Sequence, residues 1–162
     1  MVKEEAALFD GFVKTACCSP KLTLADCVGN GANIYNSICS MAEKKVSLVV
    51  FPELSITGYT CEDLFLQSVL LNESEKVLKH IIELTKELDI VSVIGLPVSV
   101  DDKLYNCAAV VFHGKLLGLV PKINIPNYSE FYEVRHFTSG ANAMAREISF
   151  AGQQTMFGRN II

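Results

Sequence analysis

The chain has 162 residues, half of them hydrophobic and 20% charged, with a net charge of −4. That length suffices for one domain with a core. The small negative charge, with no basic cluster, leaves no electrostatic footprint for nucleic acid, and the longest apolar run, residues 90–100, is too short and too interrupted to span a bilayer. Met1 to Asp10 carries Glu4 and Glu5 where a secretory leader carries bases, so a cytoplasmic protein is expected, bound neither to membrane nor to nucleic acid.

Phe12 to Cys18 predicts a first strand, ended by Ser19 and Pro20. Asp26 is an N-cap for a helix over 26–45, in which Cys27, Gly31, Ile34, Ile38 and Met41 recur at helical spacing. Gly29 and Gly31 do not make a dinucleotide fingerprint, because the third glycine is missing and no strand leads directly into them. Val46 to Phe51 is a short apolar run of the kind buried on both faces of a sheet, and Pro52 ends it for want of an N–H. Asn72 and Glu75 resemble a capping box for a helix to about Leu88, with an earlier start at Ser68 as the alternative. Ile90 to Leu96 predicts a third buried strand, ended by Pro97. Two strand–helix–strand units imply parallel pairing.

The pattern then changes. Leu104 to Phe112 and Lys115 to Val120 predict a hairpin about His113 and Gly114, two residues that accept the left-handed backbone such a turn requires. The expectation is an α/β chain with a mixed sheet, forming one domain over residues 1–162.

Two positions carry chemistry. Glu53 follows Pro52 at the C-terminal end of a buried strand, where α/β sheets gather ligands. A carboxylate there is only partly hydrated and suits a general base; otherwise it is a solvated loop charge. Further on, an apolar strand, Pro121 and then Lys122 repeat the arrangement with a base in place of the acid. If the two strands are neighbours, Glu53 and Lys122 meet at one sheet end, either as a site or as a plain ion pair. The segment after Lys122 is long, aromatic and charged, with no clear period. Tyr128, Glu130, Tyr132, Arg135 and His136 are its candidate pocket groups.

The six cysteines form no Cys-x-x-Cys pair, and no histidine lies at ligand spacing from them, so no metal site is expected. Most of them read as small buried hydrophobes in a reducing compartment. Cys61 is the best-placed candidate nucleophile, but adjacent carboxylates disfavour its thiolate.

Phe51-Pro52-Glu53-Leu54-Ser55-Ile56-Thr57-Gly58-Tyr59, followed by Pro121-Lys122-Ile123-Asn124-Ile125-Pro126-Asn127-Tyr128-Ser129-Glu130-Phe131-Tyr132-Glu133-Val134-Arg135, resembles the nitrilase, or carbon–nitrogen hydrolase, superfamily. The nearest branch is the N-terminal glutaminase domain of glutamine-dependent NAD synthetases. The resemblance runs from about Phe12 to the end of the sequence. It implies an α-β-β-α sandwich, of which this chain is a part, and a Glu-Lys-Cys triad. Glu53 matches the general base, Lys122 the cation that stabilises the oxyanion, and Glu130 a second glutamate that orients the lysine. Tyr59 and Tyr128 match substrate-binding tyrosines, with glutamine as substrate.

The resemblance also implies a nucleophilic cysteine beyond Lys122, whereas this sequence has none after Cys107 and ends inside an apparent strand. A fragment without the nucleophile, inactive alone, is therefore expected. No cofactor is expected in it; ATP and magnesium belong to the synthetase domain of such enzymes, which are homo-oligomers by expectation. The alternatives are another amidase of the superfamily, or a non-catalytic interaction module in which Glu53 and Lys122 are a structural pair.

Overall fold

The computed structural model describes residues 11–161; the acid-bearing Met1 to Asp10 lies outside them. A seven-stranded mixed sheet carries two α-helices. In chain order these are β1 (Thr15–Cys17), α1 (Cys27–Glu43), β2 (Leu48–Val50), α2 (Ser68–Leu84), β3 (Val91–Val100), β4 (Lys103–Phe112), β5 (Lys115–Pro121), β6 (Arg146–Phe150) and β7 (Gln153–Phe157). The spatial order is β1-β2-β3-β4-β5-β7-β6. β1, β2 and β3 run parallel, β3-β4-β5 is an antiparallel meander, β7 lies parallel to β5, and β6 pairs antiparallel with β7.

The elements follow from the residues. Asp26 caps α1 by accepting from the Gly29 N–H at 3.0 Å. α2 begins at Ser68, so Asn72 and Glu75 lie inside the helix and form no capping box; Glu75 instead accepts from the Ala151 N–H at 2.8 Å, tying α2 to the β6–β7 turn. His113 and Gly114 both have positive φ, 47° and 71°, as a two-residue hairpin demands. Asp101-Asp102 and Ala151-Gly152 turn their hairpins with positive φ as well.

Pro97 does not end its strand: β3 continues to Val100, with Pro97 opposite Asn106. The reason lies in which way its nitrogen points. Val93 C=O accepts from the Phe51 N–H, so alternate residues 93, 95 and 97 turn their polar groups toward β2. β2 has stopped by then, and no ladder bond is lost at Pro97. Residues 158–161 are not strand, because β7 closes at Phe157 and Gly158 to Asn160 form a bend. β6 and β7 had no counterpart among the expected strands.

The helices pack side by side on one face. Val77 Cγ1 sits where a Cβ on Gly31 would stand, 2.3 Å away, so the α1–α2 approach needs glycine there. Beneath them lie Val49, Ile94, Leu96, Ala109, Val111 and Leu119, all almost fully buried. Val50, Val93, Val110, Ala108 and Val120 alternate with those residues onto the opposite face and are only partly buried. The chain therefore supplies one α and one β layer of the expected sandwich. No helix among the described residues is long and apolar enough to cross a membrane.

Candidate active site

Glu53 lies on a tight loop laid over β3. Phe51 N–H donates to Val93 C=O at 2.9 Å, and Ile56 N–H donates to Gly95 C=O at 3.2 Å. Between them Leu54, fully buried, takes a positive φ of 51°. A Cβ at position 95 would stand 2.5 Å from Leu54 N and 2.6 Å from Pro52 O, so only glycine lets the loop lie this close. From α1, Asn30 Nδ2 donates to Ile56 C=O at 3.0 Å and pins the loop from above. Gly95→Ala is therefore expected to destabilise the chain by about 1–3 kcal/mol, read by urea denaturation, by forcing the loop and Glu53 off the sheet.

The strands that end in Glu53 and Lys122 are not neighbours, because β3 and β4 lie between β2 and β5. The two charges still meet. β2 and β5 point the same way, so both end at one edge of the sheet. The loop after β2 crosses β3 at Gly95, and Asn106 of β4 bridges the remaining gap. Asn106 is buried; its Nδ2 donates to Glu53 Oε1, and its carbonyl accepts from the Lys122 N–H at 2.8 Å.

Lys122 Nζ donates to Glu53 Oε1 at 2.6 Å and to both carboxylate oxygens of Glu133 at 2.9 Å. Tyr59 donates its hydroxyl to Glu133 Oε1 at 2.5 Å. Burial lowers the Lys122 pKa, but hydrogen bonds and charge from Glu53 and Glu133 outweigh it and raise the value overall. The ammonium is thus fixed as a cation with its donors aimed. Burial, then the bond to Glu133, pushes the Tyr59 phenol well above its ordinary value. Two carboxylates face one ammonium, so the cluster carries a net negative charge.

The second acid on Lys122 is Glu133, not Glu130. Phe131 N–H donates to Tyr128 C=O at 3.0 Å, making a turn in which Ser129 has positive φ and Glu130 is exposed. The Ser129 side chain there holds the Glu130 carboxyl below its usual value. Glu133 instead opens a 3₁₀ turn, Glu133–Arg135, anchored by Phe137 N–H on Glu133 C=O at 2.8 Å, and is buried. The segment has no period, so nothing in its pattern distinguishes the two acids three residues apart. Asn106 was missed too, although a polar residue inside the apolar strand 104–112 was a readable signal.

The tyrosines expected to bind substrate do not share one hollow. Tyr128, 68% exposed, lines an open hollow with Lys122, Asn127 and Val134. Tyr59 lines another with Glu133, Phe65 and His136. A third depression holds Glu53, Asn106 and Lys122 at the end of the open sheet face, beside Val50, Val93 and Val120. Arg135 and His136 both turn to Asp63.

All six cysteines are free, but only Cys27, Cys61 and Cys107 are buried; Cys17, on the edge strand β1, is exposed, and Cys18 and Cys39 are partly buried. Cys61 is buried and donates to Thr57 C=O at 3.2 Å, with its pKa raised by burial. Cys107 is buried and its thiol is likewise pushed up. Neither is a ready thiolate. Among the described residues no three His, Cys, Asp or Glu side chains cluster to hold a metal ion.

Residues 14–162 match the carbon–nitrogen hydrolase family. The glutamine-dependent NAD(+) synthetase of Mycobacterium tuberculosis is 34% identical over 152 residues, which cover 94% of this chain and 22% of that protein. The crystal structure of a glutamine-dependent NAD(+) synthetase from Cytophaga hutchinsonii superposes with a TM-score of 0.84 at 28% identity, covering 90% of this chain and 25% of that one. An amidase of the nitrilase superfamily from Nesterenkonia AN1, in a mutant form, superposes with a TM-score of 0.67 at 20% identity, covering 89% and 54%, a likeness in fold alone. The chain spans 22% of the length of the curated relative it matches. With residues 14–162 inside one family, this chain is a member of the carbon–nitrogen hydrolases.

Proposed function

We propose that this chain is the N-terminal part of a glutamine amidohydrolase domain that supplies ammonia to an NAD synthetase. The observation that carries the reading is Lys122 held between Glu53 and Glu133 at one edge of the sheet. The similarity to synthetases named for their use of glutamine supports the choice of substrate; a cytoplasmic, homo-oligomeric enzyme is part of the same proposal.

In this reading a cysteine thiol supplied from outside these residues gives its proton to Glu53, and the thiolate attacks the side-chain amide carbon of glutamine. The carbonyl π electrons move onto oxygen, where the Lys122 ammonium stabilises the charge. The C–N bond breaks as Glu53 returns its proton to nitrogen, releasing ammonia and leaving a glutamyl thioester. Water then adds with Glu53 again as base, and the thiol and glutamate leave. Glu133 and Tyr59 keep the lysine aimed, and Asn106 does the same for Glu53. Tyr59 and Tyr128 contribute to the substrate pocket.

ATP and magnesium are assigned to a synthetase domain, and no step here involves them.

The test compares ammonia release from glutamine by this chain alone with NAD formation by a longer protein that contains it. The chain alone is expected to release none, and the longer protein to form NAD with either glutamine or ammonia. A longer protein that uses ammonia but not glutamine overturns the reading. Release by the chain alone, lost in Glu53→Gln, would place the nucleophile among the present cysteines, Cys61 first.

A further inference from the structure

We propose that Asp63 is a positioning residue: it clamps the loop carrying Glu133 to the loop carrying Tyr59, and so holds Glu133 on Lys122. The proposal rests on the assignment of Glu53, Lys122 and Glu133 to one site.

Asp63 lies in the 3₁₀ turn Glu62–Leu66, shortly after Tyr59. Arg135 and His136 lie in and just after the turn that Glu133 opens. Arg135 Nε and Nη2 donate to Asp63 Oδ1 and Oδ2, each at 2.9 Å, and His136 Nε2 stands 3.2 Å from Oδ1. The His136 side chain is only 6% exposed and packs against Phe65, at 5.9 Å between ring centres, and against Phe137. One carboxylate therefore grips two consecutive residues of the loop, one of them through a planar fork that fixes orientation as well as distance.

The contacts close a ring. Tyr59 bonds Glu133, the chain runs from Glu133 to Arg135 and His136, these hold Asp63, and the chain runs back from Asp63 to Tyr59. Beyond Lys122 the loop has no strand or α-helix until β6. Its far end is fastened by Thr138 N–H on Leu104 C=O and Gly140 N–H on Lys122 C=O. Besides the Tyr59–Glu133 bond, two contacts tie the middle of the loop to the Tyr59 side: the packing of Phe65 on His136 and Phe137, which is not directional, and the Asp63 clamp, which fixes orientation.

Asp63 and Arg135 are both more than half exposed, so they contribute little to global stability; the effect of breaking the clamp is local. Arg135, first, and His136 hold the Asp63 carboxyl down at about 2, so the clamp stays ionised throughout the neutral and alkaline range.

The Tyr59 phenol reports the clamp. Its elevation depends on burial and on contact with Glu133, with lesser contributions from Glu53 and Tyr128; Glu62, Glu130 and His136 line the same hollow, and Lys122 shares Glu133 with it. The experiment labels tyrosine with ¹³C, assigns Tyr59 by Tyr59→Phe, and follows its titration in the wild-type chain, in Asp63→Asn and in Arg135→Gln. Amide exchange is measured alongside. In both variants Tyr59 is expected to titrate lower by about one pH unit, and amides of residues 130–137 to exchange roughly tenfold faster, with β3 and β4 unchanged.

Arg135→Gln is decisive. Removing a cation would by charge alone raise a phenol pKa, so a fall there reports the loosened loop. An unchanged or raised Tyr59 titration in Arg135→Gln, or unchanged exchange over 130–137, overturns the proposal. A fall in Asp63→Asn only would be a charge effect and overturns it equally. No arm uses glutamine, so failure of the glutaminase reading would leave this result standing, and the reverse.

Discussion

Lys122→Met is expected to lower the folding stability of this chain by about 3 kcal/mol near neutral pH, and to cut glutamine hydrolysis by a protein containing it by about 10²–10³-fold. The stability loss comes from what remains. Glu133 is buried, and both its oxygens lie on Lys122; without the ammonium it keeps the Tyr59 hydroxyl as its side-chain partner and faces Glu53 with like charge. Methionine matches the lysine stem in length, so the change tests charge rather than volume.

The sign of the pH dependence follows from the wild type. The Lys122 and Tyr59 values are both raised in the folded state, so the native protein binds more protons than the unfolded one in the alkaline range. Their stabilisation is fully present below the ordinary lysine and tyrosine values and is lost as pH rises through the folded ones. The difference between wild type and Lys122→Met should therefore be largest at neutral pH and shrink on the alkaline side. Urea denaturation at neutral and at alkaline pH measures it, and equal stability of the two proteins at neutral pH would contradict the arrangement.

The path to this site was partly legible in the residues. Apolar runs before Pro52 and Pro121 located the strand ends, and the hairpin at His113-Gly114 gave the direction of β5, because a histidine–glycine pair there has few other uses. Parity then brings Glu53 and Lys122 to one edge: β2 and β3 are parallel, and two hairpins restore that direction in β5. That the strands stand apart, with Glu53 reaching across, was not legible, because it depends on a glycine in β3 meeting a loop distant in sequence. Pro97 misled for a related reason, since whether a proline breaks a ladder depends on which neighbour its nitrogen faces. The choice of Glu133 over Glu130 was set by a turn at Tyr128–Phe131 and by aromatic packing around Phe137, neither of which leaves a periodic trace. Cys107 was read correctly as a buried apolar residue because the run that follows it, Ala108 to Phe112, is apolar.

The catalytic reading stands or falls on Glu53. Glutamine at this position keeps the size of the side chain, and its carbonyl oxygen still accepts from Asn106 and Lys122, so the loop over Gly95 should hold. What it removes is the proton acceptor for the thiol, a role worth about 10²–10⁴-fold in rate. In a NAD synthetase containing this chain, Glu53 serves only the half-reaction that frees ammonia, so its loss should not touch amidation by ammonia added directly. The measurement is NAD formation by wild type and by Glu53→Gln with each nitrogen donor. The expected result is loss of the glutamine-driven rate by a factor in that range with the ammonia-driven rate unchanged; an equal fall with both donors, or a glutamine-driven rate that survives, would contradict it.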